Sequence, residues 1–165
     1  MATFRHEIYV ARPPQAVFEA VADVRTHSQW QAGLRASEGE ALDARYAGAR
    51  GVEVRKILGR LVRFPYEITA YEPPGRWGFR ALNGPVRPAA VLSFIAEGEG
   101  TRIESELTVP GLIGRLVGRV LLAQQRRNYA RLKQLLEGNE LPDARRIGRA
   151  MLAAQQAITA DERRD

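Results

Sequence analysis

Apolar and polar residues alternate along most of the first two thirds of this chain, and the pattern then gives way to a helical period. Thr3 to Val10 sets Phe4, Ile8 and Val10 on one side, with His6 among them, and Arg5, Glu7 and Tyr9 on the other. That two-residue period predicts a half-buried strand. Ala11 to Pro14 ends it, and the proline pair suits the first turn of a helix, which Gln15 to Ala22 continues with Val17, Phe18 and Val21 on one face. A second short helix is predicted after Asp23, a natural cap, and runs to about Trp30. His27 falls in that polar connection and is expected to be exposed. Leu34 to Glu40 reads as a weak strand and Asp43 to Gly51 as a loop carrying Tyr46. Gly51 to Leu58 alternates through Val52 and Val54, while Lys56 interrupts the apolar face and predicts a bulge or an edge.

The strongest strand signals follow. Arg63 to Glu72 groups Phe64, Tyr66, Ile68 and Ala70, and beyond the Pro73, Pro74, Gly75 turn Arg76 to Leu82 groups Trp77, Phe79 and Ala81. Ala89 to Ala96 places Leu92 and Phe94 together. Arg102 to Val109 sets Ile103, Ser105, Leu107 and Val109 against Arg102, Glu104, Glu106 and Thr108. Short turns between such segments predict an antiparallel meander covered on one face.

From Gly111 to Glu137 the period lengthens. Ile113, Leu116, Val117, Val120, Leu121, Leu132 and Leu135 fall on one side of a long helix, and Gly138 reads as its C-terminal cap. Gln124, Asn128 and Arg131 project from the same stripe. Each such group would cost roughly 1–3 kcal/mol if buried without a partner, so they suggest a cavity holding water or a ligand; alternatively, the second half of the helix runs past the sheet and meets solvent. The opposite face carries Arg115, Arg119, Arg126 and Lys133, and no Asp or Glu occurs between Glu106 and Glu137. Beyond Gly138, Ile147, Met151, Ala154 and Ile158 have helical spacing but form a thin stripe. One domain over residues 1–138 with a helical tail over 139–165 is therefore expected.

Composition narrows the chemistry. With 165 residues, 45% apolar and 27% charged, the chain has the make-up of one soluble globular domain. The N-terminal stretch does not read as a signal peptide, so a cytoplasmic location is expected. The absence of cysteine excludes disulfides, thiolate nucleophiles and the common zinc sites. His6 and His27 are the only histidines, no metal site is expected, and no cofactor is expected. There is no Gly-x-Ser-x-Gly elbow, phosphate loop, dinucleotide fingerprint or zinc-protease helix. The net charge of +6 favours anionic partners. Nucleic acid is not expected among them, because the basic residues are not interleaved with aromatics as a base-stacking surface requires.

The order of strand, two short helices, long meander and long helix resembles the helix-grip superfamily of START-like (SRPBCC) domains. The entry from Arg12 to Trp30, the segment YEITAYEPPGRWGF from Tyr66 to Phe79 and GTRIESEL from Gly100 to Leu107 carry the likeness, which covers about residues 3 to 137. Within that superfamily the polyketide cyclase/dehydrase and lipid-transport group is the most similar. The resemblance implies an α+β fold in which a seven-stranded antiparallel sheet curls around the long C-terminal helix and leaves a cavity for a lipid, quinone or polyketide-like molecule. On that reading the protein is a carrier or sensor. Phe64, Tyr66, Trp77, Phe79, Leu92 and Phe94 supply apolar contacts, and Ser105, Gln124, Asn128 and Arg131 supply polar ones. A guanidinium in a pocket grips a carboxylate or phenolate bidentately, so Arg131 would imply an acidic or carbonyl-bearing ligand. The alternative is a cyclase or aromatase with His6 as base and Arg131 stabilising an enolate. A further alternative is an interaction module whose basic helix face or tail contacts an anionic membrane or a partner protein, with a homodimer formed through the tail.

Overall fold

The structure, a computed structural model, describes residues 1–138; the tail expected over 139–165 lies outside the described residues. The elements in chain order are β1 (Ala2–Val10), α1 (Pro14–Ala22), a 3₁₀ turn (Val24–Thr26), α2 (His27–Trp30), β2 (Leu34–Glu38), a second 3₁₀ turn (Glu40–Leu42), β3 (Arg50–Ile57), β4 (Arg60–Glu72), β5 (Arg76–Ala81), β6 (Ala89–Glu97), β7 (Gly100–Val109) and α3 (Gly114–Glu137). The seven strands form one antiparallel sheet in the order β1-β7-β6-β5-β4-β3-β2. β1 and β2 are its edges, and α1 with α2 carries the chain from one edge to the other. This is the α+β helix-grip arrangement, with the sheet curled around α3.

Strand alternation places the core as the sequence predicts. His6 pairs with Ser105, Ser105 with Leu92, Leu92 with Trp77 and Trp77 with Tyr71, so one row of side chains crosses five strands on the inner face. A register shift between Ile68 and Ala70 inserts one residue into β4. An extra residue reverses the side-chain phase beyond it, so Tyr71 rather than Ala70 joins Ile68 against the core. The bulge expected at Lys56 lies instead on the edge strand β2, between Leu34 and Ala36. β3 is an interior strand: Val54 packs with Ala36 in a small separate cluster, while Glu53 pairs with Ser37 and Phe64.

The long helix is rotated by about one residue from its predicted phase. Gly114, Gly118, Asn128, Tyr129, Leu132, Leu135 and Leu136 are its buried positions, whereas Ile113, Leu116 and Val120 are exposed. Glycine explains the rotation, because it carries no apolar signal yet allows close approach. A Cβ on Gly118 would overlap the Phe4 ring, so the helix backbone rests directly on β1. Toward the other end Lys133 donates to the Tyr9 carbonyl (2.7 Å), and Glu137 accepts from the Ala11 amide (2.8 Å). The helix ends at Gly138 with φ −77, so no left-handed cap is used.

Candidate functional site

α2 packs its His27 and Trp30 side chains into the inner face. Asp23 accepts from the Arg25 amide (3.1 Å) and holds the guanidinium of the same residue. Burial alone would raise the Asp23 carboxyl, but the Arg25 hydrogen bonds and charge outweigh it and hold it below its ordinary value. The Thr26 hydroxyl donates to the Ala20 and Asp23 carbonyls (2.8 and 2.9 Å). That double anchor turns His27 and Trp30 into the protein.

His27 is 2% exposed, contrary to the exposed position expected for it. Its Nε2 donates to the Val21 carbonyl (2.7 Å), its Nδ1 lies 3.6 Å from Glu53 Oε1, and its ring meets the edges of Trp30 and Trp77 at 5.0 and 5.7 Å. Glu53 in turn accepts from Arg55 at 2.9 and 2.7 Å. Arg55 also bonds the Gln31 side chain. Burial would push the Glu53 carboxyl up, but the Arg55 charge, the contact with His27 and the Arg55 hydrogen bond bring it down to about 2. An ionised acid therefore sits beneath the aromatic wall.

The predicted site residues fall into three groups. Tyr66, Trp77, Leu92, Phe94 and Ser105 are buried, and Phe79 is half-buried against the same cluster. Phe64 is half-buried opposite Glu53 and stands outside that cluster. Tyr66 lies flat over Gly51, where a Cβ would come within 2.7 Å of its ring. Its hydroxyl is held well above the usual phenol range by burial and by the Glu53 charge. The Ser105 hydroxyl and the Tyr129 hydroxyl are 3.4 Å apart, and burial pushes the Tyr129 phenol up to about 12. The second group, Gln124 and Asn128, is engaged with backbone. Asn128 accepts from the Ala32 amide (3.1 Å) and Gln124 donates to the Ala32 carbonyl (3.4 Å), so both clasp the connection between α2 and β2. The third is Arg131, which is exposed because the helix phase turns it outward.

His6 keeps its predicted inward position. It stacks on Tyr129 (6.0 Å, 8°), and burial followed by the Arg126 charge holds it below its ordinary value despite Glu7. With Arg131 outside, the base and cation of the cyclase reading are not brought together. Among the described residues, no cluster of His, Asp or Glu could hold a metal ion, and no helix is long and apolar enough to cross a membrane.

Two features of the structure had no sequence signal. The first is a set of buried polar atoms with no hydrogen-bond partner in the protein: His6 Nε2, His27 Nδ1, Trp30 Nε1, Tyr66 Oη and Trp77 Nε1 among them. The second is a cavity of about 390 Å³ between α1 and the β4–β5 turn, lined by Gln15, Phe18, Glu19, Ala22, Asp23, Arg45, Tyr71 and Pro73. It is not the cavity expected between sheet and long helix. Phe18 and Tyr71, packed edge to face at 5.4 Å, separate it from the aromatic interior.

A curved antiparallel sheet closed by a C-terminal helix, with aromatic side chains between them, defines the helix-grip class. The sequence matches the family described as polyketide cyclase / dehydrase and lipid transport over residues 1–137, and the chain belongs to that family. Comparison with curated proteins finds no match. Among solved structures, TTHA0849 from Thermus thermophilus is similar with a TM-score of 0.60 and 24% identity, over 93% of this chain and 99% of that one. A START superfamily protein from Mycobacterium smegmatis gives a TM-score of 0.59 at 18% identity, over 83% and 95%. The di-domain ARO/CYC BexL from the BE-7585A biosynthetic pathway gives 0.68 at 15% identity, over 82% of this chain and 50% of that one. At these identities the likeness is one of fold.

Proposed function

We propose that the protein binds a small, largely apolar molecule bearing carbonyl or similar acceptor oxygens against the face formed by Trp30, Tyr66 and Trp77, and acts as its carrier or sensor. The observation that carries this reading is the set of unpartnered donors. Trp30 Nε1, Trp77 Nε1 and Tyr66 Oη are buried without a partner, and all three are donors, since an indole cannot accept and a phenol titrating so high stays protonated at neutral pH. A guest with acceptor oxygens would satisfy them while its rings met Phe79, Leu92 and Phe94. Family membership supports an apolar ligand. Orientation by a few donors in an apolar surround is the usual plan of a small-molecule site.

The experiment uses the chain's own fluorophores. Its two tryptophans are Trp30 and Trp77, so intrinsic emission reports on this face directly. Titration with a naphthoquinone should be compared with naphthalene of the same shape, and native mass spectrometry should confirm stoichiometry. The quinone is expected to bind about tenfold more tightly, as one or two neutral hydrogen bonds imply, with that advantage reduced in Tyr66→Phe. Equal affinity for both probes, or no complex with either, would refute the reading.

A further inference from the structure

We propose that one rim of the sheet is a docking surface for anionic lipid membranes. Strand directions put the β3–β4 turn, the β5–β6 connection and the β7–α3 connection at the same end of the sheet. That end gathers exposed apolar side chains. Leu58 at the β3–β4 turn is 100% exposed beside Ile57, and Leu112, Ile113, Leu116 and Val120 stand out from the approach to α3 and its first turns. Six exposed aliphatic side chains at one end are far from the scattered single residues of an ordinary surface.

Leu58 makes the choice plainer. The β3–β4 turn has two central residues, Leu58 at φ +49 and Gly59 at φ +83, a geometry that prefers Asn or Gly at its first position. A bulky branched side chain there gains no packing and holds a backbone conformation it disfavours, so folding alone gives no reason for it.

Charge identifies the partner. Lys56, Arg60, Arg87, Arg115 and Arg119 surround these apolar groups, all exposed and with no ion pair among the described residues. No Asp or Glu occurs between Glu53 and Glu67, between Glu72 and Glu97, or between Glu106 and Glu137, so none of the three connections offers a balancing carboxylate. Aliphatic side chains inside a cationic ring match the two layers of an anionic bilayer surface, acyl chains below and negative headgroups above. An acidic protein partner would match the ring but gives no reason for a lone leucine at a turn tip. The inference does not depend on what the interior binds.

The test is flotation of the full chain with vesicles of phosphatidylcholine alone or with about 30% phosphatidylglycerol, at low and at physiological salt. The expected result is recovery with the anionic vesicles, weakening as salt rises. Neutralising Arg60, Arg115 and Arg119 to Gln together should weaken partitioning on the order of 100-fold, and Leu58→Asp with Leu112→Asp by at least roughly tenfold. Ile95→Asp, on the strand end away from this rim, should leave partitioning unchanged. Because every altered side chain is exposed, circular dichroism should show unaltered folding. No binding to anionic vesicles, or binding that survives both sets of changes, overturns the proposal. So does a change of oligomeric state in Leu112→Asp without any vesicle binding, which would make this face a contact between copies.

Discussion

Replacing Glu53 with Gln keeps the shape of the side chain and removes its charge, leaving the Arg55 guanidinium and His27 without the anion between them. The carboxyl titrates at about 2 in the folded protein against an ordinary 4.5, which corresponds to about 3 kcal/mol of folding free energy. Breaking one partner out of a largely buried charge pair costs a similar amount, roughly 3–5 kcal/mol. Because the folded value is depressed, the stabilisation is fully present above about pH 4.5 and is lost as the pH falls toward 2. Urea unfolding followed by far-ultraviolet circular dichroism at pH 7, 5, 4 and 3 provides the assay. With a denaturant slope of about 2 kcal/mol/M, Glu53→Gln should lower the midpoint by about 1.5 M at pH 7. The gap between wild type and variant should narrow as the pH drops below 4.5, because the carboxyl of the unfolded wild-type chain then takes up a proton while the folded one stays ionised, which favours unfolding of the wild type alone. A gap at pH 7 below about 0.5 kcal/mol, or one that stays constant down to pH 3, would refute the reasoning.

Other outcomes follow from the same geometry. His6 should titrate below its ordinary value of 6.5 in a proton NMR titration; stability gained from its neutral form is present above that pH and falls as the solution is acidified, and His6→Phe should remove this component. Gly118→Ala should destabilise by about 1–3 kcal/mol, because its methyl group would occupy the Phe4 ring, and Phe4→Leu in the same chain should recover part of the loss. Trp77→Phe removes a buried donor that has no partner, so it should cost less than about 1.5 kcal/mol in denaturant midpoint while weakening quinone binding about tenfold. Gly51→Ala should displace the Tyr66 ring, detectable as a shifted tyrosine aromatic resonance and the same loss of quinone preference.

What could be read from the chain was whatever depends on local period. The pairing of His6, Ser105, Leu92 and Trp77 on one face follows from strict alternation in β1, β5, β6 and β7, and the long helix announces itself by its length. Phase errors arose where a residue without an apolar signal decides the packing. Gly114 and Gly118 are buried and Leu116 and Val120 exposed, which turns Arg131 away from the interior, and one inserted residue in β4 exchanges Tyr71 for Ala70. His27 and Glu53 could not have been linked from sequence. Their contact needs α2 folded back over β3, and neither residue's neighbours in the chain record that. The nearest local hint was Trp30 three positions beyond His27, a pair that shares a helix face.

The sheet is completed by its two most distant segments. Ala2 is paired with Val109 and Val10 with Thr101, so during synthesis β1 emerges first and waits for the strand that covers its edge. At roughly 5–20 residues per second, about a hundred intervening residues correspond to some 5–20 seconds in which an apolar strand stands alone at the ribosome. Arg5 and Glu7 on its outer face are well placed to keep it soluble during that delay, and the arrival of β7 and α3 then sets the moment at which the first strand gains its neighbour and its apolar face is covered.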